Sequence, residues 1–327
     1  MAVYVPTIHT EVLLQGLFDS KTWASLLAAG VLDPDALSEG ARAGDVIDVP
    51  RLNHAADFAR VNIASTDPLS PTHISTTDDK AVVLRDTAVN EFYEHDLVRS
   101  GEALDVKLSR TVGEKLAKRL TQQLFRVLDG AVAAVDEPST DCHIKDAGGQ
   151  AITVNAVRQA KQLMGDEADA LTTLVLDSLV WGDLLRDLTE SYKIDVVGGA
   201  VINNGRLQGL LGIQNILVTD LLPVTPAGAS SAGDDVHNSF LLGPNAVYFA
   251  YQRNPQTETD RNVLNPSTVF YVKTSLDYVL HLKGVKWTGA TNPTDAALAS
   301  AANWDVAYGD HRDVGAVKLL TKGGVYA

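Results

Sequence analysis

LDVKLSRTVGEKLAKRLTQQLFRVLDGAV, residues 104–132, sets the architecture of the chain. Leu108, Val112, Leu116, Leu120 and Leu124 recur every four residues, and Val127, Leu128 and Ala131 continue the stripe. The opposite face carries Lys107, Arg110, Lys115, Lys118, Arg119, Gln122 and Arg126. An apolar stripe at that period, backed by charge, predicts one amphipathic helix whose apolar face other elements must cover. At 1.5 Å per residue it would run about 40 Å. Gly113 in its interior costs about 1 kcal/mol relative to alanine, which the stripe can absorb. The basic face by itself predicts a solvated surface and not a nucleic-acid reader.

Upstream, HTEVLLQGLF (9–18) and SKTWASLLAAG (20–30) read as two short helices. Thr10 and Ser20 are the candidate N-caps and Gly30 the stop. Both are too short to fold alone, so they must lie against another surface. GDVIDVP (44–50) alternates apolar and polar residues as a half-buried strand does, and KAVVLRD (80–86) reads as a second strand. Between them, residues 51–79 are polar and turn-rich, with Pro68 and Pro71. A compact monomer rarely keeps an excursion of about thirty residues without a use. Two readings stay open: a mobile surface loop, or an arm that packs on a neighbouring subunit.

Downstream, EPSTDCHIKDAGGQ (137–150) reads as a polar linker between lobes. Thr153 can cap a helix that ends near Leu163 and stops at Gly165. LTTLVL (171–176) looks like a buried strand, and Ser178 can cap the helix in DSLVWGDLLRDL (177–188). KIDVV (193–197) and NILVTDLLP (215–223) are further strands, and TPAGASSAGDD (225–235) is a small-residue loop. The last third is strand-rich: NAVYFAYQ (245–252), the long TVFYVKTSLDYVLHLKGVKW (268–287), bent midway, and AVKLLTK (316–322).

Charge restricts the function classes. The chain has 327 residues, with 27 Lys plus Arg against 41 Asp plus Glu, a net charge of −14. Binding nucleic acid by neutralising phosphates needs a basic surface, which this balance does not supply. Such a balance suits either an ordinary acidic protein or a container wall that should not adhere to a polyanion inside it. No stretch approaches the roughly 18–20 apolar residues of a membrane span. MAVYVPTIHTEV (1–12) lacks the form of a secretory signal. The lone Cys142 cannot make an intramolecular disulfide or a cysteine-built zinc site, and it suits a reducing cytoplasm.

Chemistry-bearing motifs are sparse. Gly-x-Ser-x-Gly, Gly-x-Gly-x-x-Gly and His-Glu-x-x-His are missing from the sequence, although GGAVINNG (198–205) is glycine-rich. Gly113-Glu114-Lys115 lacks the glycines of a phosphate-binding loop. Cys142 and His143, with Asp141 and Asp146, could ligate a metal, but an adjacent Cys–His pair in a polar linker is a poor zinc site. Asp234, Asp235 and His237 could form a general-base cluster, though a solvated acidic loop explains them better. Asp310, His311 and Asp313 read as a turn between strands. No residue is therefore assigned to catalysis, a cofactor or a metal, and a chain of this length without a convergent motif points to a structural role and not an enzyme.

Several segments, taken in order, resemble the major capsid proteins of tailed double-stranded DNA bacteriophages, which share a fold with herpesvirus shells and encapsulins. GDVIDVP (44–50) is similar to the family's glycine-initiated strand ending in Ile/Val-Pro. DPLSPTHISTT (67–77) is similar to the Pro-x-x-Ile-Thr/Ser segment on the far side of its extended loop. HDLVRSGEALDVKLSRTVGEKLAKRLTQQLFRVLDG (95–130) resembles the turn at Gly101 and the spine helix that follows. AVRQAKQLMGDEADALTTLVLDSLVWGDLL (156–185) and GLLGIQNILVTDLLP (209–223) resemble the opening of the axial domain. NPTDAALASAANWDVAYGDHRDVGAVKLLTKGG (292–324) resembles the C-terminal pattern, through Pro293-Thr294, Leu298, Asn303-Trp304 and the 316–321 strand.

The resemblance implies an α+β phage capsid fold: N-arm 1–43, extended β-hairpin loop 44–90, peripheral domain with the spine helix 91–150, axial domain 151–262, and peripheral C-terminal strands 263–327. It gives the 51–79 excursion a purpose, because in the family this loop lies across a neighbouring subunit. Pro50, Arg51, Asp78 and Lys80 are then the candidate inter-subunit contacts. The expected partners are further copies of the chain in pentamers and hexamers, a portal, decoration proteins and a scaffolding protein. The fold begins too early in the chain for a built-in scaffolding segment. DNA would be enclosed in the icosahedral head without sequence-specific binding, and no membrane is involved. The expected location is the virion, after assembly in the host cytoplasm. Some relatives crosslink Lys to Asn; Lys80 lies near the loop, but no positive sign of that chemistry accompanies it. An encapsulin-like compartment enclosing cargo proteins is the alternative.

Overall fold

The computed structural model describes residues 10–33, 43–52, 76–93, 103–136, 143–191, 212–225, 235–262, 269–307 and 311–324. Its first two helices, α1 (Thr10–Asp19) and α2 (Lys21–Ala28), rest on the long helix α3 (Ala103–Val135). The expected rod therefore exists, starting one residue before the predicted 104 and ending three beyond the predicted 132. Gly113 does more there than weaken the helix. A Cβ at that position would stand 2.3 Å from the carbonyl oxygen of Leu13 and 3.1 Å from the amide of Leu17. A Cβ at Gly16 of α1 would meet the Arg110 carbonyl oxygen at 2.7 Å. The two glycines let the α1 and α3 backbones touch, a contact that any side chain would wedge open. Ser20 has the extended backbone of an N-cap, yet its side chain makes no cap hydrogen bond, so α2 is held by burial of Trp23 and Leu26. Trp23 packs edge-on to Phe249 with ring centroids 4.9 Å apart.

In chain order the strands begin with β1 (Leu32–Asp33), β2 (Val46–Leu52), β3 (Thr76–Tyr93), β4 (Ile144–Ala151), β5 (Thr173–Leu176), β6 (Asn215–Val218) and β7 (Val224–Thr225). β8 (Val236–Leu242), β9 (Val247–Asn262), β10 (Val269–Leu282), β11 (Val285–Trp287), β12 (Trp304–Val306) and β13 (Ala316–Lys322) follow. Among the described residues the remaining α-helices are α4 (Val154–Gln162), α5 (Ser178–Ser191) and the single turn α6 (Asp295–Leu298). One sheet has the order β1-β9-β10-β3-β2, and a second runs β4-β13-β8-β5-β6 with β7 on β8. The stretch 268–287, expected as one long strand, is two: β10 ends at Leu282, and the chain turns at Gly284, φ 94°, into β11, which pairs with β12 in a separate sheet.

The second sheet separates two cores. Phe240 and Leu242 face α3, where Phe240 stacks on Phe125 with centroids 6.2 Å apart. Leu241, one residue along, points to the other side and joins Val317, Leu319 and Leu174 beneath α4 and α5. The spine thus occupies one face of this sheet and also packs on β10 of the other. Helices and sheets share continuous cores, in keeping with the α+β class. Pairing crosses the expected segment boundaries: β9 joins β10 and β1, and β13 runs between β4 and β8.

Two sequence expectations need correction. The stretch 137–150 is not linker throughout: residues 144–151 form β4, parallel to β13, with Gly149 at φ 70° beside a register shift between Leu320 and Lys322. As an edge strand β4 pairs on one side only, so its glycines are tolerated. The start of α5 is bound from outside Ser178. The Asp177 carboxylate accepts the Leu179 amide at 2.9 Å, and Asp220 accepts the Ser178 amide at 3.1 Å. Hydrogen bonds from Ser178 lower the Asp220 pKa from the usual carboxylate range. Thr153 caps α4 as read, accepting from the Ala156 amide at 3.1 Å, and Gly165 has φ 55°. The expected strand 193–197 lies outside the described residues.

Candidate functional site

The four candidate contact residues converge on one ladder. β2 and β3 pair antiparallel from Val46↔Val82 to Leu52↔Thr76, which sets Pro50 opposite Asp78, Arg51 opposite Thr77 and Asp48 opposite Lys80. Pro50 is tolerated because β2 is the outermost strand of its sheet. Arg51, Leu52 and residues 76–79 are therefore paired strand, and the excursion proper narrows to 53–75, which lies outside the described residues. Lys80 is exposed, beside an open groove that Val46, Lys286 and Trp287 also line.

The ladder is anchored to the spine by a charge network that the sequence reading missed. Arg119 donates to both carboxylate oxygens of Asp295, each at 2.8 Å, and its Nε reaches Asp86 on β3 at 3.3 Å. Gln123 donates to Asp295 at 2.9 Å, and Arg126 is a further donor to that carboxylate. The Tyr278 hydroxyl of β10 donates to Asp86 at 2.7 Å. Beside it, Arg85 grips Asp277 through two hydrogen bonds of 2.6 Å across β3 and β10. The first part of the basic face of α3 is solvated as expected, whereas Arg119 and Arg126 bind α3 to α6 and the sheet. Asp295, two residues after Pro293 and following the cap residue Thr294, was the available signal.

Hydrogen bonding from Arg119 holds the Asp295 carboxyl at about 2, below its ordinary value of 3.8. The same bond pushes Arg119 upward, and burial pushes the Tyr278 phenol well above its usual range. A carboxylate with a depressed folded pKa adds stability above its unfolded pKa. That contribution is lost as pH falls through the folded value, here between about pH 4 and 2. Asp295→Asn is therefore expected to flatten the acid limb of the stability curve in that window. Asp295→Ala is expected to cost about 1–3 kcal/mol at pH 7, below the roughly 3–5 kcal/mol of a fully buried pair because solvent reaches the site. Urea unfolding at several pH values measures both.

The residues considered for chemistry do not converge. Cys142 and Asp141 lie outside the described residues, and Asp146 is exposed on β4. His143 is buried, with Nδ1 2.7 Å from the Ala316 carbonyl oxygen and Nε2 2.9 Å from that of His311. Burial lowers its pKa. His237 is not in a solvated loop: it is buried on β8, 3.6 Å from Asp177, while Asp235 is exposed. Asp234 and Asp310 lie outside the described residues, and His311–Asp313 form a short turn before β13, as read. Among the described residues no three His, Cys, Asp or Glu side chains cluster to hold a metal ion. Nor is any described helix long and apolar enough to cross a membrane.

A profile of the Gp13-like family, described as "Major capsid protein 13-like", matches residues 36–317. The chain belongs to this family of major capsid proteins. It is similar to the major capsid protein of Bacillus phage SPP1, with 28% identity over 309 residues, 92% of this chain and 89% of that one. Among solved structures it resembles the capsid of Ralstonia phage GP4, with TM-score 0.58 and 10% identity over 100% of this chain and 94% of that one. The capsid of cyanophage Pam1 gives TM-score 0.54 and 15% identity over 99% and 97%. At such identities the structures establish the shared capsid fold. This family member is thus a structural protein of the virion, and these matches favour the phage capsid over the encapsulin reading.

Proposed function

We propose that the chain builds an icosahedral phage head by closing into pentamers and hexamers around packaged double-stranded DNA. Rings form when one surface of a subunit meets a different surface of the next, and many weak contacts become stable together on closure. The sheet β4-β13-β8-β5-β6 with α4 and α5 is the axial unit. The spine with β9, β10, β3 and β2 is the peripheral unit. Residues 53–75 reach a neighbouring subunit, with Pro50, Arg51, Asp78 and Lys80 at the root of that arm. A separate scaffolding protein, a portal and decoration proteins complete the head, and the net charge of −14 keeps the wall from adhering to the enclosed DNA.

The single observation that supports this reading is the β2–β3 ladder, which holds Leu52 and Thr76, the two ends of the excursion, opposite each other at the outer edge of a sheet. Expressing the chain with its scaffolding protein and analysing purified particles tests the proposal. Particles from an infected host are expected to yield nuclease-protected DNA. Particles that hold one protein cargo and no DNA would return the encapsulin reading.

A further inference from the structure

His143 stands where the chain passes from the spine into the second sheet. Asp136 follows the last residue of α3, and its carboxylate accepts the amides of His143 and Ile144 at 2.9 and 3.1 Å. The His143 carbonyl accepts the Lys318 amide of β13 at 2.8 Å. The side chain is fully buried and reaches two more pieces of chain. Nδ1 lies 2.7 Å from the carbonyl oxygen of Ala316, the first residue of β13. Nε2 lies 2.9 Å from the carbonyl oxygen of His311, in the turn before that strand. Both partners of the ring are therefore acceptors. A neutral imidazole has one N–H and one bare lone pair, so it donates to one of these carbonyls only. Its other nitrogen then sets a lone pair against an oxygen lone pair in a site closed to solvent, which is unfavourable. An imidazolium donates to both.

The charged surroundings come from each packed element. From the end of α3, Asp136 acts on the ring as a carboxylate, while Asp129 is paired with Lys318 of β13. The turn supplies His311, whose ring meets that of His143 edge-on with centroids 5.6 Å apart, together with Arg312 and Asp313. β4 itself carries Lys145 and the exposed Asp146. Burial is the largest influence and lowers the His143 pKa; the two carbonyls and Asp136 raise it, and the balance lies below the ordinary 6.5. At neutral pH the ring is thus uncharged, and one of its two contacts holds no proton.

We infer that His143 is a proton-operated clamp: uncharged, it holds one of the two carbonyls, and on acidification it takes a proton and holds both, tying the start of β4 to β13 and to the turn before it. The clamp is a property of the single subunit and stands or falls apart from the proposed shell. Its effect on global stability has the opposite sign. An unfolded His143 takes its proton near pH 6.5 and the folded ring takes it lower, so stability is lost as pH falls across that interval while the junction itself gains a bond. Nitrogen-15 and carbonyl carbon-13 NMR of the full-length subunit, from about pH 8 to about pH 4.5, reads the clamp. At the upper end one ring nitrogen should carry a proton. Below a midpoint under pH 6.5 both should, and each N–H should exchange with solvent on the order of 100-fold more slowly than in a free histidine. One of the Ala316 and His311 carbonyl resonances should move with that midpoint, while the other, already bonded, stays nearly still. Two protonated nitrogens at the upper end would make the ring a fixed cation and overturn the inference. So would a ring still uncharged at the lower end, a ring that titrates while neither carbonyl responds, or loss of the fold before the ring titrates.

Discussion

Replacing residues 53–75 by a short glycine-containing turn is expected to yield a folded, soluble subunit that no longer closes into shells. The seven pairs from Val46↔Val82 to Leu52↔Thr76 would remain, so the hairpin still closes. Shortening a loop lowers its closure cost by only about 1–2 kcal/mol. Melting should therefore shift by no more than a few degrees. Assembly should fall sharply, because each subunit loses its arm and cooperative closure multiplies that loss over the whole particle. A cut at 51 and 79 is less clean, since it removes Arg51, Leu52 and residues 76–79 from paired strand. Sedimentation velocity with negative-stain microscopy reads both outcomes, and normal shells from the variant would remove the arm from the account.

Gly113→Ala is expected to destabilise the subunit by about 2–3 kcal/mol, as overpacking does in a tight interior. Helix propensity alone gives the opposite sign, a gain of about 1 kcal/mol. The geometry decides: the new methyl would lie 2.3 Å from a carbonyl oxygen of α1, which is backbone and cannot swing aside. Gly182→Ala in α5 is the matched control. A Cβ there meets nothing within 4 Å, so that variant should be slightly more stable than the parent. Denaturant midpoints for the pair test the claim. A stabilised Gly113→Ala would show that α1 is free to move off the spine.

These expectations mark where sequence was informative. α3, α4 with its Thr153 cap and β13 were legible because each is set by local periodicity or a local cap. β4 was hidden because IKDAGGQA has little strand propensity and pairs with residues more than 170 positions away. The outer half of β9, NPQTETDRN, looks like a loop, yet it is held as strand by its register with β10, including a 3.1 Å Lys273–Glu258 pair. The Arg119 network joins residues up to 192 positions apart, a closeness that composition does not encode. Gly113 was read through propensity alone because a one-dimensional pattern gives no distance to α1. The resemblance picked out Pro50, Arg51, Asp78 and Lys80, which the fold sets on one ladder of β2 with β3, and their role between subunits belongs to the proposal.

Cryo-electron microscopy of the protein expressed with its scaffolding partner addresses the central claim most directly. Closed particles with fivefold and sixfold capsomers are expected, with density for residues 53–75 crossing onto an adjacent subunit. A monomer at every concentration, carrying that stretch folded against its own body, would contradict the account.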